Sequence, residues 1–232
     1  MRPDMELPSD VKRALRALML GELSSNTLDV FEIELFEWYV RETEKVLDEM
    51  SRAESSYIQE QVDAGDPEPN DSGLVAVDYH ARRIRYSHII YLTSLLETSL
   101  ERACSTLSTA VGKENIPFRL RDLSGDQWSK RRNFLERYGR FELPADLWSK
   151  IQVLLQVRNY LVHENGSTAN LDEGLRAQLG TCDGLGIDGY EFRIDDTYVK
   201  AAFVVVRSFV SAVEERVRKV IERTKHFVRP AV

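Results

Sequence analysis

The sequence predicts an all-α fold, and three observations predict it. Of 232 residues only 12 are Gly and 7 are Pro, while Leu, Ala, Arg and Glu abound, which favours helices. Long stretches repeat apolar residues three and four apart, the period of one helix face. The chain is 43% apolar and 30% charged, too apolar for intrinsic disorder and long enough for one good core.

The elements follow in order. Residues 10–20 read as a short helix stopped by Gly21. Residues 28–63 form a long helix with Val30, Ile33, Leu35, Phe36, Tyr39, Val40, Val46, Leu47 and Met50 on one broad stripe. Asp66-Pro67-Glu68-Pro69-Asn70-Asp71-Ser72-Gly73 breaks the chain and is the linker candidate. A second long helix spans 74–111, with Ile84, His88, Tyr91, Leu92, Leu95, Ser99, Leu100, Ala103 and Leu107 at helical spacing and Gly112 as its stop. Ile116-Pro117-Phe118 is an extended connector, since Pro117 pushes Ile116 out of the helical region. A shorter helix covers 128–138. Another carries Pro144 in its first turn and runs to about Glu164, stopping at Asn165-Gly166. Ile187-Asp188-Gly189-Tyr190 reads as a hairpin turn. Asp195 or Asp196 caps a last helix over 197–225. Gly184 to Gly189 matches G-x-G-x-x-G, but a strand-like run (Tyr190 to Ile194) follows where a dinucleotide loop needs a helix. The whole is expected to be one helical domain over 1–232, with 1–73 an acidic extension of a core at 74–225.

Charge and composition exclude several function classes. The net charge is −7, and residues 22–78 hold 16 acids against three bases, leaving the rest of the chain at +6. Acidity on this scale argues against indiscriminate nucleic-acid binding, though a basic groove on one side remains compatible with it. No stretch approaches the roughly 18 apolar residues of a membrane span. The N-terminus lacks an apolar signal core, so no signal peptide is expected. Cys104 and Cys182 supply neither a disulfide framework nor a zinc site, and a reducing cytoplasm is the expected compartment. His80 and His226 show no metal-ligand pattern. No metal or cofactor is expected.

The informative segment is Val157-Arg158-Asn159-Tyr160-Leu161-Val162-His163-Glu164-Asn165-Gly166. On a helix, Leu147, Ile151, Leu154, Leu155, Leu161 and Val162 form an apolar arc with Arg158 in its middle. A buried guanidinium needs acceptor partners. Asn159 and His163 lie one turn apart, so the amide is placed to orient the ring. His163 falls in the last turn, where the helix dipole favours its protonated form. Arginine and histidine suffice for RNA cleavage: histidine moves the proton of the attacking 2′-OH or of the departing 5′-oxygen, and arginine clamps the phosphate. The structural alternative is a core Arg158 paired with an acid, beside a surface His163.

Arg-Asn followed by three residues and His at the end of a long helix resembles the R-x4–6-H signature of HEPN domains, which are all-helical ribonucleases and RNA-binding proteins common in defence systems. Tyr91 to Leu100 is similar to the earlier core helix of a defence-associated branch, as is the final helix after a small hairpin. The resemblance covers about 74–225. It implies an HEPN-type bundle with extra N-terminal helices. It also implies catalytic Arg158 and His163 with Asn159 assisting, metal-independent endonuclease activity, and a dimer whose two motifs face one cleft. A toxin or antiviral-defence role, with an antitoxin or other partner protein, is implied likewise. Some HEPN toxins carry a Tyr two residues after the motif His; Asn165 stands there, so the resemblance does not extend to antitoxin modification at that position. The alternative function is a non-catalytic module binding RNA or protein.

Arg83 and His88 repeat the spacing inside a helix, without a polar residue after Arg83 and away from a helix end. Glu97 is a candidate partner for Arg158, or a solvated acid. Tyr160 is a candidate base contact, or packing. Lys130, Arg131, Arg132 and Arg137 sit in a basic stretch, residues 119–140, with seven bases against three acids. They are candidate RNA contacts, or a solvated helix face. Residues 207–229, at +4, are a second such stretch.

Overall fold

The computed structural model describes residues 25–112, 116 and 120–227, the side chains of 25–29, 121 and 225–227 aside. Among these residues are six α-helices: α1 Ser25–Asp63, α2 Ser72–Val111, α3 Gln127–Gly139, α4 Ala145–His163, α5 Glu173–Leu179 and α6 Asp196–Phe227. A two-stranded antiparallel sheet, β1 Leu185–Asp188 and β2 Glu191–Ile194, precedes α6. The chain is mostly helical, as its composition predicts. The helix expected over 10–20 lies outside the described residues, as do Pro117, Phe118 and Arg119.

The described residues fall into two compact units. One gathers those of segments 1–35, 94–151 and 204–232. There α3 starts at Asp126, whose carboxylate accepts the Ser129 N–H at 2.7 Å and so satisfies a donor the helix leaves open. It ends where Arg140 takes a left-handed φ of 51°. Phe134, Leu135, Leu143, Val210 and Val213 are buried, and the Trp148 and Phe209 rings pack at 5.8 Å. Pro144 precedes α4 instead of lying within it, and its carbonyl accepts the Trp148 N–H at 2.9 Å.

The other unit holds 36–93 and 152–203. Of the linker expected at 66–73, Ser72 and Gly73 already belong to α2, and residues 64–71 form a short turn braced locally: Asn70 N–H donates to Gln61 Oε1 at 2.7 Å, and Ser72 N–H to Asn70 Oδ1 at 3.0 Å. Beyond it α2 meets α1 through Arg85, whose Nη2 donates to the buried Glu44 carboxylate at 2.7 Å and whose Nε donates at 3.0 Å. Neither charge is left without a partner, which is the condition for burying it. Phe36 packs on Tyr91 at 4.5 Å and on Phe203 at 5.3 Å.

The hairpin turns one residue later than Asp-Gly pairing predicts. Asp188 pairs with Glu191, so Gly189 and Tyr190 form the loop, with Gly189 at φ 58°. Asp188 instead gives its carboxylate to Arg82 at 2.6 Å. Helix α5 is absent from the sequence reading. Seven residues are too short for a helical period to register, but Asp172 caps it through the Leu175 N–H at 3.1 Å, and Leu175 and Leu179 are buried.

Candidate active site

The last two turns of α4 carry the Arg-Asn-His segment. Buried Val157 and Leu161 fix the rotation of the helix. Arg158, in the middle of the apolar arc by helix geometry, is half-buried, while Asn159 and His163 are exposed. Arg158 Nη1 donates to Asn159 Oδ1 at 3.1 Å. The amide therefore holds the guanidinium, where sequence spacing had it orienting the His163 ring. A helix turns about 100° per residue, so Asn159 and His163 share a face while Arg158 stands about 140° from His163. The Arg158–Asn159 bond draws the guanidinium toward that shared face. Leu154 and Leu161 are buried, and of the arc's three residues nearest the motif Val162 alone is exposed, at 42%.

The chain leaves His163 through a tightly held turn. Asn165 and Gly166 both take left-handed φ, 52° and 81°. The N–H groups of Glu164 and Gly166 both donate to the Tyr160 carbonyl, at 3.0 and 3.1 Å. From α2, Arg83 donates to the Asn165 carbonyl at 3.0 Å and to Glu191 on β2 at 2.8 Å. Phe192 N–H donates to the Gly166 carbonyl at 3.0 Å, and Thr168 N–H to that of Tyr190 at 2.7 Å. Tyr86 donates its buried hydroxyl to the Phe192 carbonyl. A Cβ at Gly166 would run into the Tyr86 ring. The segment after His163 is thus clamped between α2 and the hairpin.

Several candidate residues have structural employment. The Tyr160 hydroxyl accepts the Asp172 N–H at 2.9 Å and donates to the Asn170 carbonyl at 3.1 Å, while its ring meets Phe192 edge-on. That is the packing alternative, with the hydroxyl fixing the loop before α5. Glu97 takes Arg131 at 3.0 Å, an ion pair that gives this acid a structural role. Arg131 is itself buried, with Glu101 at 3.7 Å as a second acid, which withdraws it from RNA contact. Arg132 bonds Glu136 at 3.0 Å and lies 5.2 Å from the Trp148 ring centre. Arg137 is exposed and Lys130 half-buried. Burial pushes the Cys104 thiol up to about 12, as a core position predicts. His88 is 4% exposed, and burial holds its pKa below the usual histidine range.

Arg83 is the residue that sequence reasoning passed over. Its spacing to His88 stands out along the chain, yet its work is to hold the turn after His163. A signal was present in the flanking rings: Tyr79 and Tyr86 lie four residues before it and three after it. Their ring centres stand 5.1 and 5.4 Å from its guanidinium carbon.

Among the described residues no group of three or more His, Cys, Asp or Glu is placed to hold a metal ion, and no helix is long and apolar enough to cross a membrane. Comparison with family models, with curated proteins and with solved structures finds no match.

Proposed function

We propose that the chain is a metal-independent endoribonuclease of HEPN type. The observation that supports it is the Arg158–Asn159 bond, which draws a guanidinium toward the helix face carrying the exposed His163. In the proposed reaction the ribose 2′-OH loses its proton and its oxygen attacks the adjacent phosphorus. The bond from phosphorus to the 5′-oxygen breaks, and that oxygen is protonated. The products are a 2′,3′-cyclic phosphate and a 5′-hydroxyl. His163 serves as general acid or base, Arg158 clamps the phosphate by paired N–H bonds, and Asn159 keeps Arg158 in place. Two proton transfers are better served by two histidines, so the active form is a homodimer with both motifs on one cleft. A toxin or antiviral-defence role, with a partner protein, rests on the HEPN resemblance alone, and a cytoplasmic setting on the two unpaired cysteines.

A non-catalytic binding module is the second reading. The angle of about 140° between Arg158 and His163 favours it, because one helix alone does not turn both toward one phosphate. Incubating the purified protein with RNA in excess chelator separates the two. Cleavage that leaves cyclic phosphate ends and is abolished by His163→Ala supports the nuclease. RNA retention without cleavage supports the module, and activity that vanishes with chelator and returns with magnesium overturns the mechanism.

A further inference from the structure

The unit of residues 36–93 and 152–203 carries an apolar seam separate from its core. On α1, Tyr39, Val46, Met50 and Tyr57 are 47% to 54% exposed. Their intervals of seven, four and seven residues put them within about 20° of one line along the helix. Thr43 and Ala53 fill the gaps. Buried Val40 and Leu47 lie about 90° away, so the seam is not the rim of the core. It is about 27 Å long, five turns of helix.

At one end the seam meets an open surface groove lined by Phe36, Tyr39, Ile84, Ser87, His88 and Tyr91. Three aromatic rings stand around it, with Tyr39 and Tyr91 each about half exposed. The buried His88 has an Nδ1 with no hydrogen-bond partner. Such a ring cluster attracts a cation through its π faces.

The charge pattern decides the occupant. From Glu37 to Asp63 the helix carries eight acids against three bases. Glu42, Glu49 and Glu60 all fall on one flank of the seam, about 60° to 80° from its line. Lys45 pairs with Glu42 at 2.7 Å and offsets only one of them. In an antiparallel pair, a second copy of this face would set like charges along the same edge, which opposes that pairing. We infer that the α1 seam docks a basic amphipathic helix of another protein. Its apolar positions lie along Tyr39, Val46, Met50 and Tyr57, its Lys and Arg side chains meet the glutamate flank, and one cation rests in the aromatic groove. This inference does not depend on the ribonuclease reading.

The test uses the full chain and a labelled peptide of about 20 residues, long enough to cover the seam, with Leu at heptad positions and Lys on both flanks. A peptide with Glu in place of Lys is the control. Fluorescence anisotropy should show binding of the Lys peptide only, weakening as salt is raised. Val46→Ser with Met50→Ser should weaken it by about tenfold or more, as should Glu42→Lys with Glu49→Lys and Glu60→Lys. These positions are exposed or partly so, and unchanged melting curves would confirm intact folds. Equal binding of both peptides, or unchanged affinity in either variant, overturns the proposal. So does a photo-cross-linker at position 50 that joins the seam to residues 1–24 of the same chain or to a second copy.

Discussion

His163 is exposed at the end of α4. His163→Ala should therefore abolish cleavage while thermal unfolding shifts by no more than about 0.5 kcal/mol, the range of surface substitutions. Arg158→Ala should abolish cleavage too, with Asn159 losing its partner. A cleavage assay and a melting curve on the same preparations check both, and a normal rate in His163→Ala sinks the assignment. His88 answers a different question. Burial against Phe36 and Tyr39 lowers its pKa; Glu44 opposes that shift and Arg85 adds to it. The unfolded chain then binds a proton that the folded chain refuses. Full stability is present above the ordinary value of about 6.5 and falls as pH drops below it. Melting temperature should be lower at pH 5.5 than at pH 7.5, and His88→Leu should flatten that slope whatever it does to the absolute value. An equal slope in both proteins assigns the pH dependence elsewhere.

At the scale of elements, the turn after α4 is held by conformation and by contact together. Gly166→Ala forces a Cβ into a left-handed conformation and against Tyr86, and should cost about 1–3 kcal/mol in denaturant unfolding. It should also lower cleavage, because the segment leaving His163 shifts. A variant as stable and as active as the parent would show that the turn positions nothing. The same turn marks what the sequence discloses. Long helices announce themselves: Leu92, Leu100 and Leu107 repeat a helical period through α2, and Gly112 ends it, although Leu96 and not the expected Leu95 is buried between them. Arg158 and His163 are legible because spacing and a helix end are local facts. The clamp is not local. Arg83 meets Asn165 82 residues away and Glu191 108 residues away, pairings that no window along the chain contains. Burial of Arg131 is hidden for the same reason, since Glu97 lies on another helix. The hairpin shows a subtler limit. Asp-Gly predicts a turn correctly but not its register, because Arg82 competes for Asp188.

For the whole molecule, the proposed composite cleft makes activity a property of pairs. Mixing equal amounts of His163→Ala and native chains should leave about one quarter of the native activity if both histidines are needed, and about half if each chain acts alone. A monodisperse monomer that stays fully active on dilution refutes the composite site. Val162 is the exposed apolar residue beside the motif, and Val162→Glu should loosen the pair. The hairpin tip carries a further consequence, for where this chain tolerates extra length. Surface loop tips ordinarily accept added residues, and the exposed turn of 64–71, braced only by its immediate neighbours, fits that rule. The Gly189-Tyr190 tip looks equally open, with Tyr190 80% exposed, yet the Tyr190 carbonyl binds the Thr168 N–H and Glu191 beside it holds Arg83. A short tag spliced into residues 64–71 should leave cleavage intact. The same tag between Gly189 and Tyr190 should silence it, because lengthening the tip loosens the support under His163.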